Sequence, residues 1–181
     1  EKAKVYVSTT YMIITIIASI LIVLYLVCYQ WVNWQVVFNS NFISESELQK
    51  VVTIVSLFFL LKFITDIINV IASSFQMVSI SSILLFISNL GLTISVWILT
   101  KSTKSDLVLL AFCLSVIPFL ISLFANFYLF RKHFKIAKPS FKYVDFKKSK
   151  GIMSLGSQFF ILQIISLIIF QTDNILIAQL F

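Results

Sequence analysis

The sequence has little charge. Only 12% of its 181 residues are Asp, Glu, Lys or Arg, whereas 60% are hydrophobic and 15% are aromatic. A soluble globular domain carries about 25% charged residues, so this chain has too few polar groups to cover a soluble protein's surface. The deficit excludes a cytosolic enzyme, a secreted disulfide module, a disordered tail and a nucleic-acid-binding domain. It leaves an integral membrane protein.

Residues that do chemistry are also scarce. The two cysteines, Cys28 and Cys113, lie in apolar runs and form no CxxC pair, so neither a disulfide framework nor a zinc site is indicated. The one histidine, His133, lies in a basic stretch. No GxSxG, HExxH or P-loop motif is present. We therefore expect no enzyme activity, no metal site and no cofactor.

The sequence does have long uncharged runs. Because a helix rises about 1.5 Å per residue, about 20 apolar residues cross a hydrocarbon layer of about 30 Å. The runs lack the alternating polarity of β-barrel strands, which leaves helices. The run from 67 to 100 is too long for one crossing, so we place a turn at Ser73-Ser74-Phe75-Gln76. The prediction is an all-α protein with five transmembrane helices at about 5–29, 48–74, 78–100, 107–130 and 151–181, and a loop over 30–47.

The basic residues predict the orientation of these helices. Ten of the 14 Lys and Arg residues fall on the side that holds the start of the first helix and the basic segment 131–150. Excess Lys and Arg marks the cytoplasmic side, so residues 131–150 are expected in the cytoplasm. The net charge of +7 is then explained by topology and contact with membrane lipids, with no nucleic acid as partner.

Three polar residues share one face of the second predicted span. Lys62 lies near its middle, Asp66 follows one turn later, and Asn69 continues the same face. A charge at the centre of a membrane helix costs about 2.5–3.5 kcal/mol on insertion scales, so these residues need partners. Two interpretations stay open. Lys62 and Asp66 neutralise each other between helices, or the stripe faces a water-filled path in which Lys62 holds a phosphate or acidic sugar.

The fifth predicted span carries a second polar set, with Gln163, Asp173 and Asn174 as candidates. Asp173 has no cation within one turn of its own helix. Its partner must then be another helix, water or a solute, unless the span ends at Gln171 and Asp173 lies at the outer interface.

A resemblance to a known family is carried mainly by the last third of the chain. The motifs are Lys138-Pro139-Ser140-Phe141-Lys142-Tyr143, Asp145-Phe146-Lys147, Leu155-Gly156, Phe159-Phe160, Gln163 and Phe170-Gln171-Thr172-Asp173-Asn174-Ile175-Leu176-Ile177. In these residues the sequence resembles bacterial polysaccharide flippases of the O-antigen type, within the multidrug/oligosaccharidyl-lipid/polysaccharide exporter superfamily. Gln76 matches a glutamine that is often found in this turn in the family. A Lys-Pro pair tends to follow that glutamine in the family, whereas this sequence has Met77-Val78 there.

The resemblance implies a two-lobe, MATE-like transporter of 12 to 14 helices, of which this chain would be a fragment covering spans three to seven. Residues 1–130 would form four helices of the N-terminal lobe, 131–150 the cytoplasmic inter-lobe loop, and 151–181 the first helix of the C-terminal lobe. The implied activity is alternating-access flipping of an undecaprenyl-pyrophosphate-linked oligosaccharide. With this activity, Gln163 and Asn174 are expected to line the substrate path beside Lys62 and Asn69, and Asp173 is expected to bind a coupling H⁺ or Na⁺. The implied setting is the bacterial inner membrane, beside polysaccharide polymerase or ligase machinery.

Two other functions compete with the flippase. An ion-coupled multidrug antiporter of the same fold would use Asp66 and Asp173 for a cationic substrate, H⁺ or Na⁺. One Lys against two Asp within the spans does not decide between these two. A polysaccharide polymerase or scaffold subunit is disfavoured, because the predicted outer loops are short and contain no Arg.

Overall fold

The computed structural model describes residues 2–38, 42–101 and 106–180, without the side chains of 148, 149, 152, 155, 167 and 170–180. The described residues contain seven α-helices and no strand. They are α1 (Lys2–Cys28), α2 (Trp34–Val37), α3 (Glu45–Thr65), α4 (Ile67–Ser74), α5 (Val78–Lys101), α6 (Leu107–Lys132) and α7 (Phe146–Leu180). Four stretches are long and apolar enough to cross a membrane, and α7 adds a shorter apolar segment, Gly156–Ser166. The predicted class, an all-α membrane protein, is confirmed.

The segment predicted as a loop over 30–47 contains helical structure. A 3-10 turn at Tyr29–Trp31 precedes α2. The Asn33 side chain caps α2 by accepting from the Val36 N–H at 3.1 Å. The Glu45 carboxylate accepts from the backbone N–H groups of Trp34 and Gln35 at 2.8 and 2.9 Å. Satisfying these N–H groups stabilises a short helix, and the local polarity of the segment did not predict it.

The second membrane crossing is a broken helix. Residues Glu45–Ser74 form one apolar span, but α3 ends at Thr65 and α4 begins at Ile67, with Asp66 between them as a turn residue. The Asn69 N–H donates to the Asp66 carbonyl at 3.0 Å. This i→i+3 bond replaces the i→i+4 bond that a continuous helix would make to the Thr65 carbonyl. The break therefore requires another donor for Thr65.

The turn between α4 and α5 is made by a left-handed residue. Gln76 has a φ of 59°, and the Met77 N–H donates to the Ala72 carbonyl at 2.9 Å. A left-handed residue followed by this six-to-one bond is the Schellman ending of a helix. It reverses the chain within the long uncharged run, so that α5 returns across the membrane.

Helix α6 is the centre of the bundle, because it packs against both α3 and α5. Its first turn is capped by Asp106, whose Oδ1 accepts from the N–H groups of Val108 and Leu109 at 2.9 and 3.2 Å. The helix continues through Pro118. A Cβ at Gly91 of α5 would lie 3.0 Å from Ile117 Cγ2, so the absence of a side chain there allows α5 to approach α6 closely.

The tightest packing lies at one end of the bundle, where α4 meets the end of α6. The buried cluster is Ile67, Ile68, Ile71, Ala72, Ala125, Leu129, Phe130, Phe134 and Ala137. Two of its members, Phe134 and Ala137, belong to the segment after α6, so this segment is part of the core. We call this the connector end of the bundle.

The connector between α6 and α7, residues 133–145, is fastened to α1. The Ser140 N–H donates to Ser8 Oγ at 3.0 Å and the Asp145 N–H donates to Thr9 Oγ1 at 3.1 Å. Both hydroxyl residues are buried. The Lys4 ammonium lies 4.3 Å from the centre of the Tyr143 ring. Helix α7 then begins at Phe146, ahead of the predicted start at Gly151, so the basic segment 131–150 is ordered over most of its length.

The hydrogen bond from the Asp145 N–H to Thr9 Oγ1 should help to hold the connector against α1. Replacing Thr9 with valine keeps the shape of the side chain and removes the acceptor of the Asp145 N–H. An unsatisfied buried donor costs about 1–3 kcal/mol, and one to two kcal/mol is a factor of about 5–30 in an equilibrium. We expect trypsin to cleave after Lys142, which is followed by Tyr143, at least about fivefold faster in membrane vesicles of the variant than of the wild-type protein.

The control for this prediction is Thr15→Val, on the exposed part of the same helix. It should leave the cleavage rate unchanged. Equal cleavage of the Thr9→Val and wild-type proteins would show that the connector is held by other contacts.

Candidate functional site: a polar network at the broken helix

Lys62 and Asp66 form an ion pair within the broken helix. The Lys62 Nζ donates to Asp66 Oδ2, one turn along the chain. It is the one ion pair between side chains of the described residues. Both side chains are 34% exposed. The pair therefore lies at the edge of the bundle and opens outward, and it is not sealed between helices.

The other oxygen of the Asp66 carboxylate is bound by neighbouring side chains. Ser122 of α6 donates its hydroxyl to Asp66 Oδ1 at 2.6 Å. Asn69 Nδ2 lies 3.5 Å from the same oxygen, at the limit of a hydrogen bond. Asp66 thus has partners on its own helix and on α6, and these fix its orientation. Asn69 Oδ1 is buried without a hydrogen-bond partner among the described residues.

Asn126 supplies the donor that the helix break requires. Its Nδ2 donates to the Thr65 carbonyl and to the Ser122 carbonyl, each at 2.7 Å. Its Oδ1 accepts from the Tyr11 hydroxyl of α1 at 2.6 Å. In a bilayer a free carbonyl costs several kcal/mol, so a break in a membrane helix persists where side chains satisfy it. Asn126 therefore holds α1, α3 and α6 together at the break.

The ion pair lies close to the middle of the membrane crossing. Lys62 is about 4 Å from the midpoint of the 30-residue span Glu45–Ser74, at about 1.5 Å per residue. Asp66 lies one turn nearer to the connector end. Broken helices near the middle of the bilayer are where secondary transporters build their substrate and ion sites.

The structure brings together three of the six residues singled out in the sequence, Lys62, Asp66 and Asn69. Gln163 is exposed on α7 and takes no part in the hydrogen bonds of this network. The side chains of Asp173 and Asn174 lie outside the described residues, so their roles stay predictions.

Three residues of the network were missed in the sequence, namely Tyr11, Ser122 and Asn126. Each lies in an uncharged run, where a single hydroxyl or amide does not stand out. Ser122 and Asn126 are four residues apart, which places them on one face of α6. This spacing of four indicates a polar face on α6, but it does not indicate which helix that face packs against.

The arrangement provides one adjustable cation in an otherwise fixed polar network. Ser122 and Asn69 contact Oδ1 of the Asp66 carboxylate, and Lys62 contacts Oδ2. A lysine side chain is long and its ammonium has three donors. Lys62 can therefore donate to an anion on its exposed side while it keeps its bond to Asp66 Oδ2.

The fold and this network define a multi-pass α-helical membrane protein with a partly exposed ion pair in one of its apolar spans. Over its whole length, residues 1–181, the chain matches the family of polysaccharide biosynthesis proteins, and it belongs to that family. Members of the family are transporters rather than enzymes, so the chain is a polysaccharide-related membrane transporter. Comparison with curated proteins and with solved structures gives no significant match.

Proposed function

We propose that the protein flips a lipid-linked oligosaccharide, of the undecaprenyl-pyrophosphate type, from the cytoplasmic to the outer leaflet of a bacterial inner membrane. Membership of the polysaccharide biosynthesis family supports a polysaccharide cargo. The observation that carries the choice of residues is the Lys62 side chain, which is 34% exposed and lies near the middle of the apolar span Glu45–Ser74. In this proposal Lys62 contacts the negative phosphates while the lipid tail stays in the membrane.

The geometry at Asp66 favours this cargo over a cationic drug. A multidrug antiporter needs a carboxylate that is free to bind a positive charge. Asp66 already accepts from Lys62 and Ser122. The free donors of the Lys62 ammonium are then the groups that meet the cargo, as an anionic headgroup requires. Asn69 lies beside this pair, where its amide suits the hydroxyl groups of a sugar.

Alternating access is the mechanism we propose for the whole protein. The cargo enters from the side that carries the connector, crosses at the level of the broken helix and leaves on the opposite side. The break at Asp66 gives the second crossing a point of bending, because i→i+4 hydrogen bonding is interrupted there. Coupling to H⁺ or Na⁺ through Asp173, a path contribution from Gln163 and Asn174, and association with a polymerase or ligase remain predictions.

A flipping assay tests the proposal directly. The full-length protein is placed in liposomes that contain a lipid-linked oligosaccharide, and the fraction that becomes accessible to an added glycosidase is measured over time. We expect this accessible fraction to rise well above that in protein-free liposomes. We expect no protein-dependent efflux of a cationic dye such as ethidium.

Two results would contradict the proposal. The first is flipping no faster than in protein-free liposomes when the protein is folded and inserted. The second is dye efflux without glycan flipping, which would establish the antiporter instead.

A further inference from the structure

The connector end of α6 carries a groove that the transport proposal does not use. It has a volume of about 490 Å³ and is lined by Phe124, Phe127, Tyr128, Arg131, Lys132 and Lys135. The lining changes along the helix from aromatic to cationic. We call these six residues the aromatic–cationic groove.

The aromatic part of the groove faces away from the helix bundle. Phe124 and Phe127 are 68% and 61% exposed. The neighbouring residues Ala125 and Leu129 are buried against the rest of the bundle. Because residues three and four apart share a helix face, the rings of Phe124, Phe127 and Tyr128 lead along one face towards Arg131.

The cationic part of the groove has no acidic partner. Among the described residues, Arg131, Lys132 and Lys135 form no ion pair, and all three are exposed. The Lys132 ammonium folds back over Tyr128, with its Nζ 3.0 Å from the phenol oxygen and 5.4 Å from the ring centre. Three positive charges are thus gathered where the apolar face of the helix ends.

This juxtaposition fits an amphiphile with a negative headgroup. Its phosphate would lie among the three cations and its acyl chains along the two phenylalanine rings. Basic clusters beside a membrane helix attract anionic lipids, and an arginine fork binds a phosphate with two hydrogen bonds. We propose that the aromatic–cationic groove is a binding site for an anionic phospholipid of the leaflet at the connector end. This proposal does not depend on the identity of the transported cargo.

Three lysines outside the groove offer a control with the same charge. Lys138 and Lys142 of the connector and Lys147 of the first turn of α7 lie at the same end of the bundle and are exposed, yet none of them lines the groove. The variant Lys138→Gln/Lys142→Gln/Lys147→Gln, which we call the connector triple, therefore removes as much positive charge as the groove triple Arg131→Gln/Lys132→Gln/Lys135→Gln, but leaves the groove intact.

The test measures lipid binding to the full-length, delipidated protein by native mass spectrometry. Phosphatidylglycerol is the anionic probe and phosphatidylethanolamine the neutral one. We expect the wild-type protein to prefer phosphatidylglycerol. The groove triple should weaken phosphatidylglycerol binding at least about tenfold, and the connector triple less than about twofold. Phe127→Ala, which changes no charge, should also weaken phosphatidylglycerol binding.

An unchanged melting transition in each variant shows that folding is intact. If the groove triple unfolds, the single Arg131→Gln variant replaces it.

Three results would overturn the proposal. One is an equal loss in the two triples, which would mean attraction by charge alone. Another is no preference of the wild-type protein for phosphatidylglycerol over phosphatidylethanolamine. The third is displacement of the lipid by inorganic phosphate, which would make the site one for free phosphate.

Discussion

Replacing Lys62 with glutamine should lower glycan flipping at least about tenfold while the protein remains in the membrane. Glutamine keeps a hydrogen-bond donor on a side chain one bond shorter but removes the charge. A hydrogen bond to a charged group is worth about 1.5–3 kcal/mol, and about 1.4 kcal/mol corresponds to a factor of ten. The measurement is the rate of flipping in liposomes. Lys50→Gln, an exposed lysine on the first part of the same helix, is the matched control and should flip at the wild-type rate.

A double variant separates the two interpretations of the ion pair. In Lys62→Gln/Asp66→Asn both charges are gone, so no unpaired charge is left near the middle of the bilayer. If Lys62 contacts the cargo, this variant stays as slow as Lys62→Gln although it is well folded. Recovery of the wild-type rate would mean that Lys62 serves only to neutralise Asp66.

Replacing Asn126 with leucine should destabilise the bundle by about 1–3 kcal/mol. The two side chains have the same branching and the same number of heavy atoms, so the main change is the loss of hydrogen bonding. The Thr65 and Ser122 carbonyls lose the Asn126 donor and the Tyr11 hydroxyl loses its acceptor. The measurement is the midpoint of thermal unfolding of the full-length protein in detergent, monitored by loss of the monodisperse species.

The control for Asn126 is Asn89→Leu. Asn89 is an asparagine in α5 whose side chain is exposed, so leucine there removes an amide from the surface of the bundle and should not lower the midpoint. Tyr11→Phe, which removes one of the three bonds, should give a smaller decrease than Asn126→Leu. If Asn126→Leu unfolds at the same temperature as the wild-type protein, the helix break does not depend on this amide.

The helical class of the protein followed from the sequence because the bilayer allows few solutions. A chain with 60% hydrophobic residues and long uncharged runs must satisfy its backbone within each segment, which a helix does. The turn at Gln76 was also foreseeable, because a single helix over 67–100 would be longer than the membrane is thick. The caps of α2 were not, since they depend on Glu45 reaching back to Trp34 and Gln35.

Half of the candidate site was visible in the sequence for a local reason. Lys62, Asp66 and Asn69 are ionisable or amide residues within one apolar helix, and their spacing of four and three places them on one face. Their partners Ser122 and Asn126 are distant in the chain and chemically ordinary. Only the packing of α6 on α3 shows that a serine and an asparagine satisfy the break at Asp66.

The sequence by itself determined that the chain forms membrane helices, and that one helix carries a charged pair, because hydrophobicity and helical spacing are properties of each segment alone. The tertiary structure decided which groups surround that pair, that the pair opens outward, and that the connector is fastened to α1. These depend on which faces of the helices meet, and in a chain that is apolar on almost every face hydrophobicity does not specify that choice.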